Sequence, residues 1–315
     1  MTINVDQDKH LAMMQPEVLK IRTVIKGAPF VKMAGQALLP SPNEVDKTSA
    51  QALTQYNKYK AGAEFDEYTG QTQQSMVGRM GFNDIDFEPD PKIDYLAYDC
   101  DGDGTSINGS IEKSANMVLS DKWCIGVVDY KGLAGIEADS LSAADVEEIN
   151  AKAQIKLYSR KSVVRRNFSV VNGKNQLDFI MFCESSYTMD SNFDKVEVKS
   201  YLILALDEDG NYFQQKIVET ENGGKVEGER DYVMINGEAL KFIPAVILSD
   251  SELENELPLS FGFLSPIAQI CFARYNVSGD YKYYLGRLAP TINITGMTEH
   301  EQQVFKTVNG RDYYE

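Results

Sequence analysis

Between residues 151 and 248 the chain alternates β-prone runs with turn signals, and this rhythm constrains its fold more than any other feature. The runs are IKLYS from Ile155, SVVRRNFSVV from Ser162, LDFIMFC from Leu177, EVKSYLILAL from Glu197, YFQQKIVET from Tyr212, YVMI from Tyr232 and FIPAVIL from Phe242. β-branched and aromatic residues dominate them. NGK at Asn172, DEDGN at Asp207, ENGGK at Glu221 and NGE at Asn236 stand between them, and such residues accept the positive φ of tight hairpin turns. Strands joined this closely pair antiparallel. The spacing therefore predicts a largely antiparallel region over 151–248.

Helical spacing flanks it. Val18, Ile21 and Ile25 predict a helix over Gln15–Lys26, with Pro16 in its first turn and Gly27 as its stop. Residues Leu38 to Ser49 read as a proline-broken loop. A longer helical pattern runs from Thr48 to Met80, with Ala52, Tyr56, Tyr59 and Ala63 on one stripe and Phe65, Tyr68, Thr72, Met76 and Met80 continuing it. Gly62, Gly70 and Gly78 weaken that pattern, since each costs about 1 kcal/mol against Ala in a helix. Ile111–Ser120 reads as a short helix capped by Ser106 or Asn108, Trp123–Val128 as a buried strand, and Ser140–Asn150 as a surface helix. Ser265 and Pro266 start a final helix that reaches Leu288, ~36 Å long, with Pro290 as its stop. Ile267, Ile270, Cys271, Arg274, Tyr275, Ser278, Tyr281 and Leu285 follow its spacing. Gln269, Asn276, Asp280 and Arg287 form its polar stripe.

The fold class expected is α+β. A mainly helical region spans 1–150, a β-rich region 151–248, and the long helix with a following strand 249–296; a tail covers 297–315.

Composition excludes several functions. The 315 residues carry a formal net charge of −16, which repels phosphate backbones and argues against tight general nucleic-acid binding. Arg160, Lys161, Arg165 and Arg166 are the one basic cluster of the β-rich region. It reads as a solvated strand face, with a nucleic-acid patch as the sharper alternative. Only His10 and His300 are present, so a histidine triad or multi-histidine metal site is not expected. Cys100, Cys124, Cys183 and Cys271 lack CxxC spacing and read as reduced thiols of a cytosolic setting. No P-loop, GxGxxG or GxSxG sequence occurs. No signal peptide or membrane span is expected.

The segment Asp99 to Ser106 invites a calcium reading. Asp99, Asp101, Asp103 and Gly104 fill positions 1, 3, 5 and 6 of an EF-hand loop. Position 12, which calls for a bidentate Glu, is Ser110, and Glu112 lies two residues late. The competing reading is a Gly/Asp turn whose aspartates satisfy backbone amides and lead into a helix cap. Asp99, Asp101 and Asp103 stay as candidate metal ligands for the alternative function, a calcium-dependent binding module or a carboxylate-based hydrolase.

Three ordered blocks resemble the portal proteins of tailed bacteriophages, specifically a podophage-type family long catalogued as a domain of unknown function. The first is Tyr59-Lys60, Ala63, Phe65, Thr69, Thr72 and Val77-Gly78. It is similar to a YKxRAxFxNxT run with a following Val-Gly pair, but has Gly62 and Glu67 at the arginine and asparagine positions. The second is Asp101 to Ser106, the short helix, then Ile125 to Asp129. It is similar to a DGxGTSL loop, helix and GLLVD-like strand, with Asp121-Lys122 replacing a glycine-arginine pair. The third is Ile243-Pro244, Ala273-Arg274-Tyr275, Ser278, Asp280-Tyr281, Leu288, Pro290-Thr291 and Thr295-Gly296. It is similar to IPF, AHYRxSADYE and LPTPxxTG.

The resemblance implies a structural protein and not an enzyme, with no cofactor. It implies a virion protomer at the capsid vertex, in a homo-oligomeric ring of about twelve subunits around a channel for DNA packaging and ejection. The partners implied are the major capsid protein, terminase, a tail adaptor and weakly contacted double-stranded DNA; no membrane is implied. Gln15 to Leu119 would belong mainly to the wing, Leu202 to Leu248 would include the clip, and Ser265 to Leu288 would be a stem helix. Gln269, Arg274, Asn276, Asp280 and Arg287 become its channel candidates. Portals of this kind continue well past the PTxxxTG run, so the resemblance also implies a chain short at its C-terminus.

Overall fold

The computed structural model describes residues 7–42, 49–81, 89–130, 152–171, 173–189, 193–219, 225–235, 237–250 and 261–288. The chain divides into two compact units, Met1–Phe30 with Glu67–Cys271, and Val31–Asp66 with Phe272–Glu315. The fold is α+β, with antiparallel sheets.

Unit 1 is built on two of these sheets. β1 (Trp123–Tyr130) is the middle strand of the first, between β2 (Ala153–Ser159) and β10 (Ala245–Ser249). The second follows the chain in hairpins, β3 (Val163–Val171), β4 (Lys174–Met189), β5 (Lys195–Leu206), β6 (Tyr212–Glu219) and β7 (Lys225–Tyr232). A two-residue pair, β8 (Met234–Ile235) with β9 (Glu238–Ala239), precedes β10. The turn residues do what their chemistry allows: Gly173, Gly210 and Gly237 all sit at positive φ.

Period-two alternation explains the core. Trp123, Ile125 and Val127 share one face of β1 and meet Tyr158, Ile180, Phe182, Leu204 and Tyr212 from the neighbouring strands. Tyr158 stacks on Phe182, with ring centroids 4.0 Å apart. The opposite face of β4 and β5, with Met181, Tyr201, Ile203 and Ala205, forms a second cluster with Phe213 and Ile217.

Several expectations need correction. The first helix, α1, runs Lys9–Ile25 and so begins before Pro16. Burial is the reason: Leu11 is core, and Asp8 ties the entry to the sheet through its N–H on the carbonyl of Val164 at 2.8 Å. A short helix, α2 (Ala28–Ala34), follows where none was expected. The pattern from Thr48 to Met80 is two helices, α3 (Ala50–Gly62) and α4 (Tyr68–Gly81). The break falls at Gly62, and Ala63 is extended at φ −66°, ψ 131°. Gly70 stays helical because its missing side chain admits α1: a Cβ there would lie 2.6 Å from the carbonyl oxygen of Ile25. α5 spans Ile107–Asp121, four residues more than expected at its start, with Ser106 as its N-cap. The strand β7 was not expected. Its sequence, KVEGERDY, has no apolar alternation, and only pairing with β6 makes it a strand. The final helix, α6, runs Ser265–Leu288 as expected. The expected surface helix at Ser140–Asn150 and the tail 297–315 lie outside the described residues.

The basic cluster does not form one solvated face. Arg160 is 3% exposed, and the Arg160 and Arg166 guanidinium groups lie 5.6 and 5.5 Å from the ring centroid of the buried Trp123. Arg160 also donates to the carbonyl of Asp121 at 3.2 Å. The Asp121 carboxylate, 1% exposed, receives Arg22 from α1 in a two-point contact, Nε at 2.8 Å on Oδ1 and the second nitrogen on Oδ2, with the Ser120 hydroxyl 2.9 Å from Oδ1.

Removing one partner of a buried pair leaves the other charge uncompensated, at a cost of about 3–5 kcal/mol. Asp121→Ala should therefore lower unfolding stability by that amount in urea denaturation. Lys122→Ala, which leaves the Asp250 carboxylate 24% exposed to water and so partly solvated, should cost less.

Candidate functional site

The Asp99–Ser106 loop is a turn built from its own aspartates. Asp99 Oδ1 accepts the N–H groups of Gly102 at 2.7 Å and Gly104 at 3.0 Å. Asp101 Oδ1 accepts those of Asp103 at 3.0 Å and Thr105 at 3.1 Å. The Ser106 hydroxyl then caps α5 by accepting the N–H of Gly109 at 3.1 Å. Gly102 sits at φ +78°, and a Cβ there would be 2.1 Å from Gln154 Nε2. The backbone conformation favours glycine there, and the Gln154 side-chain amide of β2 closes over it. The Cys100 carbonyl accepts from Ile155 N–H at 2.6 Å and fastens the loop to that strand.

Burial pushes the Asp101 carboxyl upward. The Thr105 hydroxyl, the N–H groups of Asp103 and Thr105 and the Lys113 charge pull it down further, so the net shift is below the usual carboxylate range.

Beside the loop lies an open cleft of about 250 Å³, lined among others by Asp101, Asp103, Lys113, Lys156, Tyr158 and Glu184. Tyr158 donates to Glu184 Oε1 at 2.7 Å, and Lys156 pairs with Asp129 at 2.5 Å. Burial, with the carboxylate of Glu184 behind it, pushes the Tyr158 hydroxyl well above its usual range. It is a proton donor and not a base. Among the described residues no group of three or more His, Cys, Asp or Glu is placed to hold a metal ion. Cys100, Cys124, Cys183 and Cys271 are all free thiols. Burial, and then the nearby Asp121, pushes Cys124 up to about 12, which removes it as a nucleophile at neutral pH.

A second acidic turn stands at DEDGN, which the sequence marks as a turn between strands. Asp207 Oδ1 accepts the N–H groups of Asp209 at 3.0 Å and Asn211 at 2.7 Å. It repeats the Asp-x-Asp-Gly pattern of the first loop. A cleft of about 390 Å³ borders it, where the Arg230 guanidinium stands 4.6 Å from the centroid of Phe213.

The channel candidates on α6 separate. Gln269 is exposed in unit 1, its Nε2 3.5 Å from the Ser265 hydroxyl. The others belong to unit 2, and two of them bind residues 59–66. Arg274 pairs with Asp66 at 2.7 Å, and Asp280 accepts the Tyr59 hydroxyl at 2.8 Å. The Ser278 hydroxyl accepts Glu64 N–H at 2.8 Å, Lys282 pairs with Glu64, and Phe65 meets Tyr275 edge-on with centroids 5.7 Å apart. Asn276 is half-buried, and its Oδ1 finds no hydrogen-bond partner among the described residues. Arg287 lies in the last turn of α6, its side chain outside the described residues. The helix continues through Gly279, where a Cβ would sit 3.1 Å from the Tyr59 ring. The apolar stripe expected on α6 is split: Cys271 and Tyr275 are buried, whereas Ile270, Tyr281 and Leu285 are exposed.

Asp101 contributes stability above its unfolded pKa of about 3.9, and that contribution disappears as pH falls through its lower folded value. Asp101→Asn should lower the urea midpoint at pH 7 and flatten its decline below about pH 4. Asp280→Ala strips the Tyr59 hydroxyl of its acceptor and should cost about 1–2 kcal/mol in the same measurement. Scanned against family models the chain matches none, and a search of curated proteins finds no similar sequence.

Proposed function

We propose that the chain is a portal-type protomer. It assembles into a ring at a capsid vertex, conducts DNA during packaging and ejection, and docks a packaging motor and later a tail adaptor. The observation that carries this reading is the meeting of the first and third resemblance blocks within unit 2. Tyr59 bonds Asp280, Phe65 packs on Tyr275, and Ser278 holds the backbone of Glu64. These positions are more than two hundred residues apart, and Tyr59 with Asp280 and Phe65 with Tyr275 are pairs whose members both carry the resemblance.

Two further features support it. With a net charge of −16, the chain avoids gripping a moving phosphate backbone, since each strong cationic contact would hold the DNA in place. The Asp101–Ser106 segment of the second block works as a turn and helix cap, an architectural role. Among the described residues no helix is long and apolar enough to cross a membrane.

Electron microscopy of the purified chain should show closed rings with a central hole, about twelve subunits around. A single monomeric species by light scattering at all concentrations up to about 100 μM, well above the Kd range of stable assemblies, would overturn the reading.

A further inference from the structure

The hairpin of β4 and β5 is longer than the sheet that contains it. β3 last faces β4 at Val163 opposite Phe182, and β6 last faces β5 at Val218 opposite Ser200. Beyond those points the two strands continue alone, in the register Ser185↔Lys199, Ser186↔Val198, Tyr187↔Glu197, Thr188↔Val196 and Met189↔Lys195. Five pairs make a ribbon of about 17 Å. Among the described residues neither outer edge of this ribbon has a neighbouring strand. Tyr187, Met189 and Phe193 are exposed by 68%, 65% and 83%. A two-stranded ribbon with open edges is marginal in water by itself.

We infer that this arm pairs with the same arm of a second copy, the outer edge of β4 in one copy joining the outer edge of β5 in the next. Both edges present backbone donors and acceptors, and a β-strand is the ligand that satisfies them. The two sequences are already matched, because they pair with each other inside the arm. Repeating that register between copies places the neutral β4 run, Ser185 to Met189, against Lys195, Glu197 and Lys199, with no like charges opposed. The β4 run also lacks the charged residues that guard an edge, whereas the sheet's other margin, β7, carries five charges in KVEGERDY. The contact is head-to-tail, so it propagates until it closes. It rests on the ring reading for closure and adds to that reading the segment that joins neighbours.

Hydrogen exchange on the full-length protein, followed with concentration, tests the arm. Amides of 185–189 and 195–199 should slow by about tenfold or more as the protein assembles. Ser186→Lys combined with Thr188→Lys, both at exposed positions, should raise the concentration for half-assembly by about tenfold while leaving the monomer's circular dichroism unchanged. Rings that form normally in the variant, with arm amides exchanging freely in the wild type, would overturn the arm pairing and leave the ring reading standing. Assembly that stops at two copies would also overturn it, as would protection that appears only when a different protein binds. A protein that stays monomeric would overturn both.

Discussion

The buried carboxylate of Asp121 is the constraint on which unit 1 depends. It sits where α5 ends and β1 begins, and it receives Arg22 from α1 on both oxygens. Its own carbonyl takes Arg160, whose guanidinium lies over Trp123. A carboxylate moved out of water without partners costs several kcal/mol. Helix, strand and the segment around Arg160 must therefore converge for any of them to be stable. The same convergence seats Trp123 in the core and so sets the position of β1, β2 and the loop that precedes α5.

The second sheet follows a simpler logic. Its strands are joined in sequence by hairpins, so each pairing forms next to the last and needs no long crossover. Its centre is apolar on both faces, with Ile180 and Phe182 toward one cluster and Met181 toward the other. Its margins differ. β7 ends the sheet with charge, whereas the β4–β5 ribbon runs past its neighbours with a neutral edge and exposed aromatic side chains. A charged margin discourages the addition of another strand, and a neutral one does not.

Much of this was legible in local chemistry. Ser265 and Pro266 marked the start of α6, and glycines at positive φ marked the hairpins. The turn reading of Asp99 and Asp101 followed from the missing acid at position 110, and their carboxylates do accept backbone amides. Other features had no local signal. Leu11 extends α1 only because the core buries it. Arg160 and Arg166 looked like surface charge until Trp123 appeared beneath them. Asp280 and Arg274 are spaced as a polar stripe, and nothing nearby in sequence names Tyr59 and Asp66 as their partners.

Local chemistry settles the fold class, the hairpins that join β3 to β6, the α6 boundaries and the self-contained turn at Asp99. Each is decided within a few residues by φ preference, capping or period-two burial. Tertiary packing settles where charged residues go, why Gly70 has no room for a side chain, and that β4 and β5 outrun their sheet. Those outcomes depend on which distant backbone or side chain comes to lie alongside, and no local pattern encodes that.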